Sequence, residues 1–67
     1  MENNISIFVK EKRKEAKLTQ KEFSILAGVG LAFIRAIEQG KTTLKVENVN
    51  KVLAMFGYEL GPVEKKR

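Results

Sequence analysis

The sequence predicts an all-α domain, a compact bundle of about four short helices followed by one short C-terminal β-strand. Three observations predict it. Apolar residues recur at helical spacing in four separate segments, and a Thr-x-x-Glu start and several glycines punctuate those segments. A chain of 67 residues can also bury only one small core. With no Cys and no His, neither disulfides nor the usual zinc sites can staple it, so helix packing and self-association must supply the stability.

The first helix is expected over Ile5 to Lys17, where Ile5, Phe8, Val9, Lys12 and Ala16 share a face while Lys10, Glu11, Arg13, Lys14 and Glu15 fill the others. Thr19-Gln20-Lys21-Glu22 then has the form of a capping box, so a second helix starts at Gln20. Its apolar face is Phe23, Leu26 and Ala27. Gly28 follows where a helix stop often takes a left-handed residue. A third helix is expected from about Leu31 to Gln39, burying Ile37 and either Phe33 or Ile34, with Gly40 ending it.

Lys41 to Lys45 reads as a loop. Val46, Val49, Val52, Leu53 and Phe56 mark a fourth helix, and Gly57 is its stop. Tyr58-Glu59-Leu60 alternates in the manner of a strand, and Pro62 must end that strand or confine it to an edge. Residues 1–61 are thus expected to form one domain, and residues 62–67 a basic, disordered tail.

The net charge of +5 suits a partner rich in phosphates. An N-terminal signal pattern and a long apolar run are both missing, so a cytoplasmic chain with no membrane partner is expected. Enzymatic work is not expected either. There is no His or Cys, Glu11 and Glu15 fall on solvated faces, and the sequence offers no catalytic residue, metal ligand or cofactor site.

Two short helices joined by a glycine-containing turn form the unit that lays its second helix in the major groove of DNA while the first crosses the backbone. The run Leu18-Thr19-Gln20-Lys21-Glu22-Phe23-Ser24-Ile25-Leu26-Ala27-Gly28-Val29, with Ile34, Glu38 and Gly40 after it, closely resembles the Xre/lambda-repressor-like helix-turn-helix family over residues 5–57. Two positions depart from that pattern. Ser24 stands where many members have alanine, and Gly30 replaces the serine that usually caps the recognition helix, leaving no side-chain acceptor there.

The resemblance implies DNA-binding positions at Thr19, Gln20, Lys21, Gly30, Leu31, Ala32, Arg35 and Lys41. Gln20 and the amides at the start of the second helix would clamp a phosphate, favoured by free N–H groups and the positive dipole end. The alternative is that Gln20 is only a surface residue of the capping box. Arg35 is the strong donor on the outward face of the third helix and can bond guanine O6 and N7, or else a phosphate. Leu31 and Ala32 could meet only apolar features such as the thymine methyl. Leu31 and Phe33 could instead face the core or a protein partner. Arg13 and Glu38 are implied to form a partly buried salt bridge that holds the recognition helix to the scaffold.

The stretch Gly40-Lys41-Thr42-Thr43-Leu44-Lys45, with Val52-Leu53 and Gly57-Tyr58-Glu59-Leu60, resembles the HipB-type antitoxin branch. That resemblance implies a homodimer in which Tyr58, Glu59 and Leu60 pair across a two-fold axis. It also implies repression of the chain's own operon at palindromic double-stranded DNA, and a kinase-like HipA-type toxin as partner. A lone strand in a helical domain leaves its N–H and C=O groups open, which a second subunit would satisfy. The alternative dimer packs the Val52 and Phe56 face against its symmetry mate. Alternatives for function are a free-standing or phage-type repressor and a protein-interaction adaptor on the same fold.

Overall fold

The computed structural model describes residues 4–62, which form four helices, α1 Asn4–Glu15, α2 Gln20–Ala27, α3 Leu31–Glu38 and α4 Val46–Ala54. Helix α3 packs against both α1 and α2, and α4 closes against α2. Between them lies one core of Val9, Phe23, Ile34, Ile37, Val49, Val52 and Leu53. Each helix contributes at least one of these residues, so none could bury its apolar stripe without the others.

The helix boundaries follow from local hydrogen bonding. Thr19 caps α2 through a complete capping box, in which the Glu22 amide donates to Thr19 Oγ1 at 3.1 Å and the Thr19 amide donates to Glu22 Oε1 at 2.8 Å. Gly28, at φ 73°, then ends α2, and the Val29 and Gly28 amides donate back to the carbonyls of Ser24 and Ile25. That pair of bonds satisfies two carbonyls that the helix end leaves over. The same pattern recurs after α3 and after α4.

Helix α1 stops earlier than its pattern predicts, at Glu15, and Ala16 and Lys17 are exposed turn residues. The physical reason is the same motif built without glycine. Lys17 takes φ 57°, and the Lys17 and Leu18 amides donate to the Lys14 and Arg13 carbonyls. Leu18 is thereby turned inward against the core.

Packing decides one open alternative in the expected core and corrects one assignment. Ile34 is fully buried while Phe33 is half-buried beside the core. Leu26, expected on the inner face of α2, is 62 % exposed, and Ser24 is buried in its place. Small Ser24 lets α2 approach its neighbours, and its hydroxyl donates to the Lys21 carbonyl at 2.7 Å, so no polar atom is stranded. Val52 is fully buried and Phe56 stacks on Phe23 with ring centroids 5.6 Å apart. Val52 belongs to the core and Phe56 packs half-buried against it, so much of the face expected for the alternative dimer is covered within the chain itself.

The expected C-terminal strand is not found among the described residues. The chain instead folds back on its own domain. The Tyr58 amide donates to the Leu53 carbonyl at 3.0 Å as part of the α4 stop. The Leu60 amide donates to Asn50 Oδ1 at 2.7 Å, and the Tyr58 ring meets Phe8 edge-on at 4.8 Å between centroids. Two of the three donors that a ladder would have used are therefore engaged within the chain itself. Of the expected basic tail, only Pro62 is described, and residues 63–67 lie outside the described residues. No helix of the described residues is long and apolar enough to cross a membrane.

Candidate nucleic-acid interface

The centre of the site is the α2–turn–α3 unit, and a buried carboxylate fixes it to the rest of the fold. Glu38, at the end of α3, is 4 % exposed. Arg13 of α1 approaches it side-on, Nε donating to Oε2 at 2.7 Å and Nη2 to Oε1 at 3.0 Å. The third guanidinium nitrogen, Nη1, donates to the Leu18 carbonyl at 2.9 Å, across the turn that ends α1. Gln20, the first residue of α2, donates its amide nitrogen to Glu38 Oε1 at 3.2 Å. One carboxylate thus joins three helices, and a two-point arginine contact fixes orientation as well as distance. The hydrogen bond to Glu38, reinforced by its charge, holds the Arg13 guanidinium above its ordinary pKa against the opposing effect of burial.

This bracing leaves the outer face of α3 open. Ala32, Arg35 and Gln39 are exposed and Leu31 and Ala36 half-exposed, and residues 32, 35, 36 and 39 lie along one helical stripe. Phe33 packs against the core, while Leu31 is not among the apolar side chains that do so. Gly30 precedes the helix as its cap, with extended backbone at φ −71° and no side-chain bond to the first turn. Lys21 and Lys41 are exposed at the two ends of the unit, and Thr19 is exposed at the α2 start. Thr19 Oγ1 accepts the Glu22 amide. Glu22 sits below the ordinary glutamate pKa, first because the Thr19 backbone amide donates to it and second because of the Thr19 side chain.

Tyr58 and Glu59 are exposed and Leu60 half-buried, on a face remote in sequence from α3. Leu60, Tyr58 and Leu53 line an apolar cleft of about 370 Å³ with Ile5 and Phe8. Three features escape a reading of the sequence. Asn50 receives the Leu60 amide, a role that depends on the path of the tail. The Gln20 amide reaches a residue 18 positions away. Gln39 extends the outward stripe, and its spacing of four from Arg35 is the sequence signal that could have found it.

Among the described residues no group of His, Cys, Asp or Glu is placed to hold a metal ion. A model of the helix-turn-helix family matches residues 9–63, from within α1 through α4 and the tail. The chain belongs to the helix-turn-helix family. Among similar proteins is the uncharacterized HTH-type transcriptional regulator y4mF of Sinorhizobium fredii, 39 % identical over 67 aligned residues that cover 96 % of this chain and 88 % of that protein. In helix-turn-helix terms α2 is the helix that crosses the backbone and α3 the recognition helix. The bracing carboxylate therefore sits at the far end of the recognition helix from Leu31.

Proposed function

We propose that this chain is a sequence-specific, DNA-binding transcriptional regulator that acts as a homodimeric repressor on a palindromic operator. The observation that carries this reading is the disposition of charge on α3. Its only carboxylate, Glu38, is turned inward and neutralised by Arg13, while its only cation, Arg35, is exposed on the outward stripe. Such a face suits the guanine edges and phosphates of a major groove, and the chain's net charge of +5 adds attraction to the duplex. The relative named as a transcriptional regulator supports the same reading.

In this reading Thr19, Lys21 and Lys41 contact phosphates, together with the amides at the α2 start and the second side-chain N–H of Gln20, while Leu31, Ala32 and Arg35 face bases and Gly30 lets the backbone approach. The homodimer contact lies at Tyr58, Glu59 and Leu60, through side chains over the neighbouring cleft rather than through a backbone ladder. The resemblance to the HipB-type branch extends the proposal to an autoregulating antitoxin of a kinase-like HipA-type toxin.

A titration of fluorescent duplex from upstream of the chain's own gene tests it. Affinity should fall linearly on a log-log plot as salt rises, with an excess over random duplex that persists. A flat salt dependence, or equal affinity for both duplexes, would sink sequence-specific DNA binding. Co-purification with the product of the adjacent gene separates the antitoxin from a free-standing repressor. One observation favours a second reading, an interaction adaptor. Ile25 and Leu26 are 69 % and 62 % exposed side by side on α2, and an adaptor would bind its partner regardless of salt or DNA.

A further inference from the structure

We infer that α3 reads the C5-methyl group of a pyrimidine beside a guanine, so that thymine and 5-methylcytosine are recognised alike and cytosine methylation raises affinity. The inference rests on the DNA-binding reading above and specifies what that face recognises.

Three observations carry it. Leu31 opens the recognition helix and does not pack against the core, although the helix's other large apolar residues, Phe33, Ile34 and Ile37, all do. Ala32 beside it is exposed. Neither side chain has a donor or acceptor, so the base-edge feature either can recognise is a methyl group, which in the major groove sits on C5 of thymine. The same C5 position carries the methyl of methylated cytosine. Desolvating that methyl against a leucine is favourable in the way any apolar burial is.

Arg35 sets the register. It stands one helical turn beyond Leu31 and Ala32 on the same surface, and at about 1.5 Å per residue it lies roughly 4.5–6 Å further along the axis. That span is one to two base steps of about 3.4 Å. A guanine bonded by Arg35 therefore falls one or two positions from the pyrimidine whose methyl meets Leu31. No negative charge competes on this face, because Glu38 is held inward by Arg13 and Gln20.

The experiment starts from a duplex selected by the full-length protein from a random library. Each thymine is replaced in turn by deoxyuridine, which removes only the methyl. At one thymine within two positions of the guanine whose contact is lost in Arg35→Ala, affinity should fall about threefold to fivefold per half-site, and roughly tenfold to twentyfold when both half-sites are changed. A duplex with 5-methylcytosine there should bind about threefold to fivefold tighter than the same duplex with cytosine. Leu31→Ala should abolish both differences while leaving the salt slope unchanged, and its melting curve checks that the domain still folds.

Equal affinity for thymine and deoxyuridine at every position, with specific binding intact, would overturn the methyl reading and leave the DNA-binding proposal standing. Discrimination that survives in Leu31→Ala would also overturn it, by showing that duplex flexibility and not the leucine senses the methyl. Failure to select any duplex would remove the DNA-binding reading itself, and Leu31 and Arg35 would then belong to a protein contact.

Discussion

Arg13 and Glu38 stand 25 residues apart in the chain and meet through two hydrogen bonds of 2.7 and 3.0 Å. Their side chains are only 14 % and 4 % exposed, so removal of either leaves the other charge poorly solvated. Glu38→Ala should cost about 3 kcal/mol, a large share of the stability a domain this small can have. Arg13→Ala should cost a similar amount, and the double variant much less than the sum. A double-mutant cycle on thermal or denaturant unfolding measures the coupling, and a coupling near zero would show that the pair does not hold the recognition helix.

The Glu22 carboxylate supplies a pH dependence of defined sign. Hydrogen bonds from Thr19 lower its pKa in the folded state, so the folded protein binds that proton less tightly than the unfolded chain. Its contribution is fully present above the unfolded pKa of about 4.3 and is lost as pH falls through the lower folded value. The effect is small because the group is fully exposed. Melting temperatures of wild type and Glu22→Gln, taken from neutral to acid pH, should therefore converge at the acid end. A constant gap at all pH values would mean that the charged box contributes nothing.

Lys17 holds φ 57° in the turn that ends α1, a conformation that costs an L-residue about 1 kcal/mol and glycine almost nothing. Lys17→Gly should stabilise the domain by about that amount, which corresponds to a melting temperature roughly 4–8 °C higher. Binding to random duplex should weaken slightly at low salt through the lost charge. An unchanged or lower melting temperature would indicate that the lysine side chain contributes more than its backbone strain costs.

Asn50→Ala removes the acceptor of the Leu60 amide. We expect a loss of about 1 kcal/mol and release of the segment that places Tyr58 on Phe8. If the dimer contact uses Tyr58 and Leu60, sedimentation should show the variant dissociating at higher concentration than wild type. A dimer of undiminished strength would move the contact elsewhere on the surface.

Lys21 and Arg35 should respond differently to DNA sequence. Lys21→Ala should weaken cognate and random duplexes alike and reduce the salt slope by about 1, as a phosphate contact does. Arg35→Ala should cost about 1–3 kcal/mol on the cognate duplex and little on random DNA. Parallel anisotropy titrations compare the four affinities, and equal losses for Arg35→Ala on both duplexes would make it a phosphate contact.

The number of helices, their order and most of their ends are legible in the chain because capping and stopping are local chemistry. The Thr19 and Glu22 box and the glycines at 28, 40 and 57 need no distant partner to act. Lys17 hides the same stop behind a side chain that normally avoids it, so the end of α1 is misplaced by periodicity alone. Tertiary structure decides everything that depends on which surfaces meet. Phe33 and Ile34 are equally apolar, and only the approach of α3 to α1 and α2 determines which is enclosed. Tyr58 to Leu60 alternates as a strand does, yet alternation specifies no partner, and here Asn50, the end of α4 and Phe8 engage the segment within the same chain. The bridge of Arg13, Glu38 and Gln20 likewise exists only because packing excludes water from residues that the sequence keeps far apart, which makes their mutual hydrogen bonds worth forming.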